Sequence, residues 1–194
     1  FCEPFVAVYF NFPSSHYKTF KNIEADINKE LKNNHVVVKA MTFMDIDFLK
    51  NQNSFLEMDN IYFFFLIRDP HHSTISFAKK AIATGYKPER PMHHLGYDAT
   101  YKMFTLLKEK AKHQPKIIFT EDFYSNPEKI LQALCKHADI EYQDSMLELK
   151  DLGDQFNGDL WNEQKSNPGM HHWYNRAIHS TKIEKPKLDY EVDK

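Results

Sequence analysis

Short apolar runs that alternate with amphipathic stretches predict an α/β chain, a three-layer, mostly parallel sheet with helices on both faces. Three observations lead there. Residues 36–38, 61–67 and 116–119 are apolar with almost no polar alternation, as strands covered on both faces are. Between these runs, apolar residues recur at spacings of three and four, the period of a helix with one buried face. Each run then stops at or near a charge, Lys39, Arg68 or Glu121, and ligands of such sheets bind at the carboxyl ends of the strands.

The elements follow in order. Residues 5–10, Phe-Val-Ala-Val-Tyr-Phe, are aromatic and β-branched and are closed by Pro13, which predicts a strand or its end. Ser14 and Ser15 offer N-caps to a helix over 17–31, whose buried stripe is Phe20, Ile23, Ile27 and Leu31 and whose stop is Asn33-Asn34. A strand of three valines follows and ends at Lys39. The run 61–67 ends at Arg68-Asp69-Pro70, after which Ser73 or Thr74 starts a helix to Ala83 that Gly85 stops. Past a bend between Pro88 and Pro91, residues 93–112 read as one helix through Leu95, Tyr101, Phe104, Leu107 and Ala111. After the short strand 116–119, Ser125 or Asn126 caps a helix with Pro127 in its first turn and Ile130, Leu131, Leu134 and Cys135 on its apolar stripe, reaching Ala138. From Gln155 onward the periodicity fails, so residues 1–184 read as one domain and 185–194 as a mobile tail.

Composition narrows the function classes. The 194 residues carry 25 Lys+Arg against 27 Asp+Glu, a net charge of −2 with the signs interspersed, which argues against a nucleic-acid or polybasic membrane surface and for a smaller, localised charged partner. No apolar run approaches the roughly 18 residues of a membrane-spanning helix. Cys2 and Cys135 are the two cysteines, too far apart for a CxxC site, and a reducing, cytoplasmic compartment is expected. The chain opens on Phe with no charged-then-apolar leader, which reads as a fragment or a processed chain. Its five glycines, Gly85, Gly96, Gly153, Gly158 and Gly169, spell neither GxGxxG nor GxxxxGK[ST], so neither phosphate-cradling loop is complete.

Chemistry concentrates at the predicted sheet rim. Arg68 ends an apolar strand, where a guanidinium offers a planar fork of donors to a phosphate or sulfate. If Pro70 turns the chain sharply into the next helix, the hydroxyl of Ser76 faces the same anion, helped by first-turn amides and the helix dipole. The structural alternative is a plain Arg68–Asp69 surface pair beside a solvent-facing serine. The histidine pairs His71-His72, His93-His94 and His171-His172 invite a metal, but neighbours in sequence point in different directions and no HExxH occurs, so they read as surface or helix-end residues. His16 and His94 are possible substrate contacts.

The segment Phe65-Leu66-Ile67-Arg68-Asp69-Pro70 followed by Ser76 resembles the Arg-Asp-Pro-x5-Ser element of the sulfotransferase family. That family's arginine and serine bind the 3′-phosphate of the donor PAPS. Thr120-Glu121-Asp122-Phe123, then Asn126-Pro127-Glu128, is similar to the family's Tyr-Glu-Asp-Leu strand end and Asp-Pro-Glu, with Thr120 in place of tyrosine. Val38-Lys39 corresponds to the strand whose terminal lysine faces the transferring sulfuryl group. The resemblance spans roughly residues 35–140. It implies a P-loop-like sulfotransferase fold, PAPS as co-substrate, no metal, and a small-molecule or carbohydrate acceptor. Arg68 and Ser76 would be its donor-binding residues and Lys39 its catalytic cation.

Two departures matter. Many cytosolic members place a general-base histidine two residues after the lysine, and Met41 stands there. Other branches use a glutamate in a Glu-Pro-Phe-like context, which Glu3-Pro4-Phe5 matches, so Glu3 is the base the resemblance implies. The family's 5′-phosphosulfate loop precedes that region and is not seen in this sequence. It lies outside the chain, or another segment replaces it, or the protein is a non-catalytic binding relative. Late aromatics Trp161, Trp173 and Tyr174, and Arg176, Ser180 and Thr181, are candidates for a donor-covering segment. A P-loop kinase-like phosphotransferase is a third reading, which would need a Mg²⁺ site.

Overall fold

The computed structural model describes residues 19–50, 56–87, 91–149 and 179–183. The expected strand over 5–10, the caps Ser14 and Ser15, and Cys2, Glu3, His16, Trp161, His171, His172, Trp173, Tyr174, Arg176 and the 185–194 tail lie outside these residues.

Helix α1 (Phe20–Glu30) starts where Thr19 turns from extended backbone and its N–H donates to Asn22 Oδ1 at 3.1 Å. Ile23 and Ile27 bury its inner face, as the spacing predicts. The three valines that follow differ from expectation. No strand forms at 36–38 among the described residues, Lys39 alone makes a β-bridge, and Val37 is 79% exposed while Val36 and Val38 pack on the core. An apolar triplet that buries alternate residues is half-covered, so the two-sided burial read from composition does not hold here.

Helix α2 (Thr42–Lys50) has no counterpart in the sequence reading. Phe43, Met44, Asp45, Ile46 and Leu49 are all buried, so its apolar residues surround most of the axis and leave little amphipathic period to detect. Strand β1 (Phe64–Ile67) pairs in parallel with β2 (Lys116–Phe119), Phe64 opposite Lys116 and Ile67 opposite Phe119. Both ends agree with the expected stops. Burial is again one-sided, with Phe65 in the core and Leu66 64% exposed, and Phe119 on β2 is 52% exposed, against the fully buried strand expected.

Helix α3 (Pro70–Thr84) leaves β1 after two residues. It begins earlier than Ser73 or Thr74 because Asp69 is the N-cap and Pro70, with its φ preset, takes the first helical position. Gly85 ends it as expected, with φ 67° and its N–H donating to the Ile82 carbonyl. The single helix expected over 93–112 is two, α4 (Pro91–Leu95) and α5 (Tyr97–Lys110), broken at Gly96 with φ 72°. A Cβ at Gly96 would sit 3.4 Å from Thr42 Oγ1 and 3.5 Å from the Phe43 ring, so α2 packs tightly against this elbow. Helix α6 (Thr120–Ser125) follows β2 directly, and α7 (Pro127–His137) carries the predicted proline start. A short 3-10 turn, Asp144–Leu147, leads to Glu148, which bridges antiparallel to Lys182.

The core lies on one side of the strand pair. Ile23 and Ile27 of α1, Phe43, Met44, Ile46 and Leu49 of α2, Phe65 of β1 and Ala99, Met103 and Leu107 of α5 form one cluster, with Phe104 edge-on to Phe65 at 5.7 Å.

Candidate active site at the strand ends

Parallel pairing of Ile67 with Phe119 brings the next residues, Arg68 and Thr120, to the same rim. Arg68 is half-buried, and its carbonyl accepts a hydrogen bond from Tyr97 Oη at 2.9 Å. Sequence reasoning missed Tyr97. Its position is set by the Gly96 break, and no spacing rule announces that a tyrosine opening a helix will hold a backbone oxygen 29 residues earlier.

Asp69 and Glu121 lock the turn between β1 and α3. The Asp69 N–H donates to Glu121 Oε1 at 3.4 Å, the His72 N–H donates to Asp69 Oδ1 at 3.1 Å, and His72 Nδ1 lies 3.9 Å from Glu121 Oε1. The His72 amide, then the His71 amide and the two imidazoles, hold the Asp69 carboxyl below its ordinary range. At Glu121 desolvation pushes the carboxyl up, but hydrogen bonds from its own and the Asp69 backbone and from the Thr120 side chain leave it lower than usual. Both are ionised at neutral pH.

This corrects one expectation. Asp69 occupies the first-turn amides of α3, with Ser73 N–H bonded to its carbonyl at 2.9 Å, so those amides are already committed to the cap. An anion at this rim therefore depends on side chains. Ser76 is half-buried and follows Asp69 by seven residues, nearly two helical turns, which returns it to the Asp69 side of α3 about 10 Å along the axis.

Lys39 is exposed and precedes α2 by three residues. The Thr42 hydroxyl at the start of α2 lies 2.8 Å from the Thr100 hydroxyl and donates to the Gly96 carbonyl at 3.5 Å. Next to Gly96, Tyr97 holds the Arg68 carbonyl. The segment bearing Lys39 is thus tied through Thr42, Gly96 and Tyr97 to the end of β1, while Glu121 reaches the same turn from the start of α6. Of the late candidates, Ser180 is half-buried and Thr181 exposed, beside the Glu148–Lys182 bridge. Glu3, the expected base, is outside the described residues.

Among the described residues no three His, Cys, Asp or Glu side chains gather in a metal-binding group. His71 and His72 open α3, whereas His93 and His94 close α4. No described helix is long and apolar enough to cross a membrane.

No family model matches the chain, and no curated protein matches it in sequence. A solved structure, the sulfotransferase domain from the curacin biosynthetic pathway, is similar to 87% of this chain with a TM-score of 0.49 and 15% identity. The match spans 56% of that solved chain.

Proposed function

We propose that this chain is a PAPS-dependent sulfotransferase, moving a sulfuryl group to an acceptor hydroxyl or amine on a P-loop-like, three-layer α/β scaffold. The observation that carries the reading is the β1–turn–α3 unit. Arg68 follows directly on the last residue of β1, Asp69-Pro70 turns the chain into the next helix, and Ser76 stands on the Asp69 side of that helix. Arg68 and Ser76 are the grip on the ribose 3′-phosphate, and Tyr97 positions the arginine through its carbonyl.

In-line transfer makes an acceptor O–S bond as the bond from sulfur to the bridging oxygen of the nucleotide breaks. Charge builds on that bridging oxygen and on the equatorial oxygens, so a fixed cation stabilises the transition state more than the ground state. Lys39 is that cation in this proposal. Glu3 is the carboxylate that the sequence resemblance offers for the acceptor's proton.

Calorimetric titration with PAP tests the donor site. Binding that Arg68→Ala weakens at least tenfold supports it, and no heat at millimolar PAP contradicts it. Label transfer from PAPS then separates an enzyme from a non-catalytic binding relative. Stabilisation by ATP with Mg²⁺ but not by PAP would favour the phosphotransferase reading.

A further inference from the structure

We propose that Thr42 is a positioning residue for Arg68, fixing the backbone of the arginine through the Gly96 elbow and the Tyr97 hydroxyl; this rests on the sulfotransferase reading above. The links are hydrogen bonds between elements distant in sequence, joined by one peptide bond. At the start of α2 the Thr42 hydroxyl donates to the Gly96 carbonyl at 3.5 Å and lies 2.8 Å from the Thr100 hydroxyl. The same carbonyl accepts the Thr100 N–H at 2.7 Å, the bond that opens α5. Because the Gly96 carbonyl shares a rigid plane with the Tyr97 N–H, Thr42 and Thr100 together orient the peptide on which Tyr97 hangs. Beyond that plane the Tyr97 hydroxyl donates to the Arg68 carbonyl at 2.9 Å.

Two features make the elbow depend on that hydroxyl. Gly96 is the N-cap of α5 at φ 72°, and a glycine there has neither a side chain to restrain its carbonyl nor a steric bar to other conformations. The space its Cβ would fill lies 3.4 Å from Thr42 Oγ1, so the threonine stands where the residue's own side chain would have been. At the far end, the Arg68 carbonyl and the Asp69 N–H belong to one peptide plane. Tyr97 holds its oxygen at 2.9 Å, and Glu121 Oε1 accepts its N–H at the longer distance of 3.4 Å. Tyr97 is thus the tighter of the two holds on the backbone that aims the arginine, and Thr42 sets where Tyr97 stands. A planar guanidinium meets a phosphate in a fixed fork, which makes the contact sensitive to a small rotation of its backbone.

The test compares PAP with 5′-AMP, which lacks the 3′-phosphate, by calorimetric titration of the whole chain and its variants. The ratio of the two dissociation constants reads the phosphate grip, since a loosened fold or a disturbed adenosine contact weakens both ligands alike. The parent is expected to favour PAP at least tenfold. Thr42→Val keeps the branched shape and removes the hydroxyl; it should cut that preference about threefold or more while AMP affinity stays within about twofold. Thr42→Ser, which keeps the hydroxyl, should hold the preference within about twofold of the parent, and Tyr97→Phe should cut it as Thr42→Val does. Added to Arg68→Ala, Thr42→Val should change the preference by less than about twofold. A preference that survives Thr42→Val, or that Thr42→Ser loses equally, overturns the role of Thr42, as does a loss that persists undiminished beside Arg68→Ala. If Thr42→Val does not fold, Thr100→Val removes the partner hydroxyl and is judged by the same outcomes. A parent that prefers PAP while Thr42→Val matches it leaves the donor site standing, whereas a parent that binds PAP no more tightly than AMP defeats the donor reading itself.

Discussion

Asp45 stands on α2 with 7% of its surface exposed, and its Oδ1 is buried without a hydrogen-bond partner among the described residues. Burial lifts its carboxyl from 3.8 to about 7, against a smaller opposing contribution from its own backbone amide. The native chain therefore holds a proton that the unfolded chain releases near pH 4. Stability from this group is full below that pH and is lost as pH rises through about 7, by up to about 4 kcal/mol. Asp45→Asn removes the titration. Thermal melts should show the variant gaining on the parent between about pH 4 and pH 7 and levelling off above that, and a gap that stays constant would contradict the burial argument. At this scale Arg68 and Lys39 stood out in the sequence because a charge bounding an apolar run is visible in one dimension, and Ser76 because of its spacing from Arg68. Tyr97 and Asp45 were not assigned roles, since each depends on what lies beside it in space.

Among elements, the turns decide most. Gly85 and Gly96 share a left-handed backbone, φ 67° and 72°, but among the described residues a Cβ at Gly85 meets nothing within 4 Å while one at Gly96 meets Thr42 and Phe43. Gly85→Ala should cost about 1–2 kcal/mol from backbone strain, and Gly96→Ala more than that, because α2 must also give way. Equal losses in denaturant titrations would mean that the elbow is not closely packed. Helices α1 and α7 were legible from their spacing, and α3 from its start and stop signals, with the Gly85 and Pro127 boundaries given by turn chemistry. The N-cap of α3 was misplaced although Asp69-Pro70 carries the signal, since a capping acid before proline competes with later serines as a start. Helix α2 escaped because it buries residues around most of its circumference, and the valines escaped because a three-residue apolar run does not specify which side is covered.

For the molecule as a whole, the parallel pairing of β1 with β2 and the cluster running from Ile23 to Ala111 hold the strand ends together. Leu107 is 1% exposed within that cluster, and Leu107→Ala should lower unfolding free energy by about 2–5 kcal/mol. The accompanying loss of PAP affinity should disappear at temperatures where the variant is fully folded; a persistent loss would show that the core tunes the rim directly. The α/β alternation and the parallel sense followed from the sequence, since helices between the runs make parallel crossovers the simple connection. One-sided strand burial did not, because apolar content alone does not say how many layers cover a strand.

In the proposed function, Arg68 and Ser76 hold one anion between them. A double-mutant cycle on PAP affinity, measured by calorimetry with Arg68→Ala, Ser76→Ala and the pair, tests it most directly. Each single change should weaken binding, tenfold or more for the arginine, and the pair should weaken it by clearly less than the product of the two. Strict additivity, or PAP affinity indifferent to both residues, would contradict it.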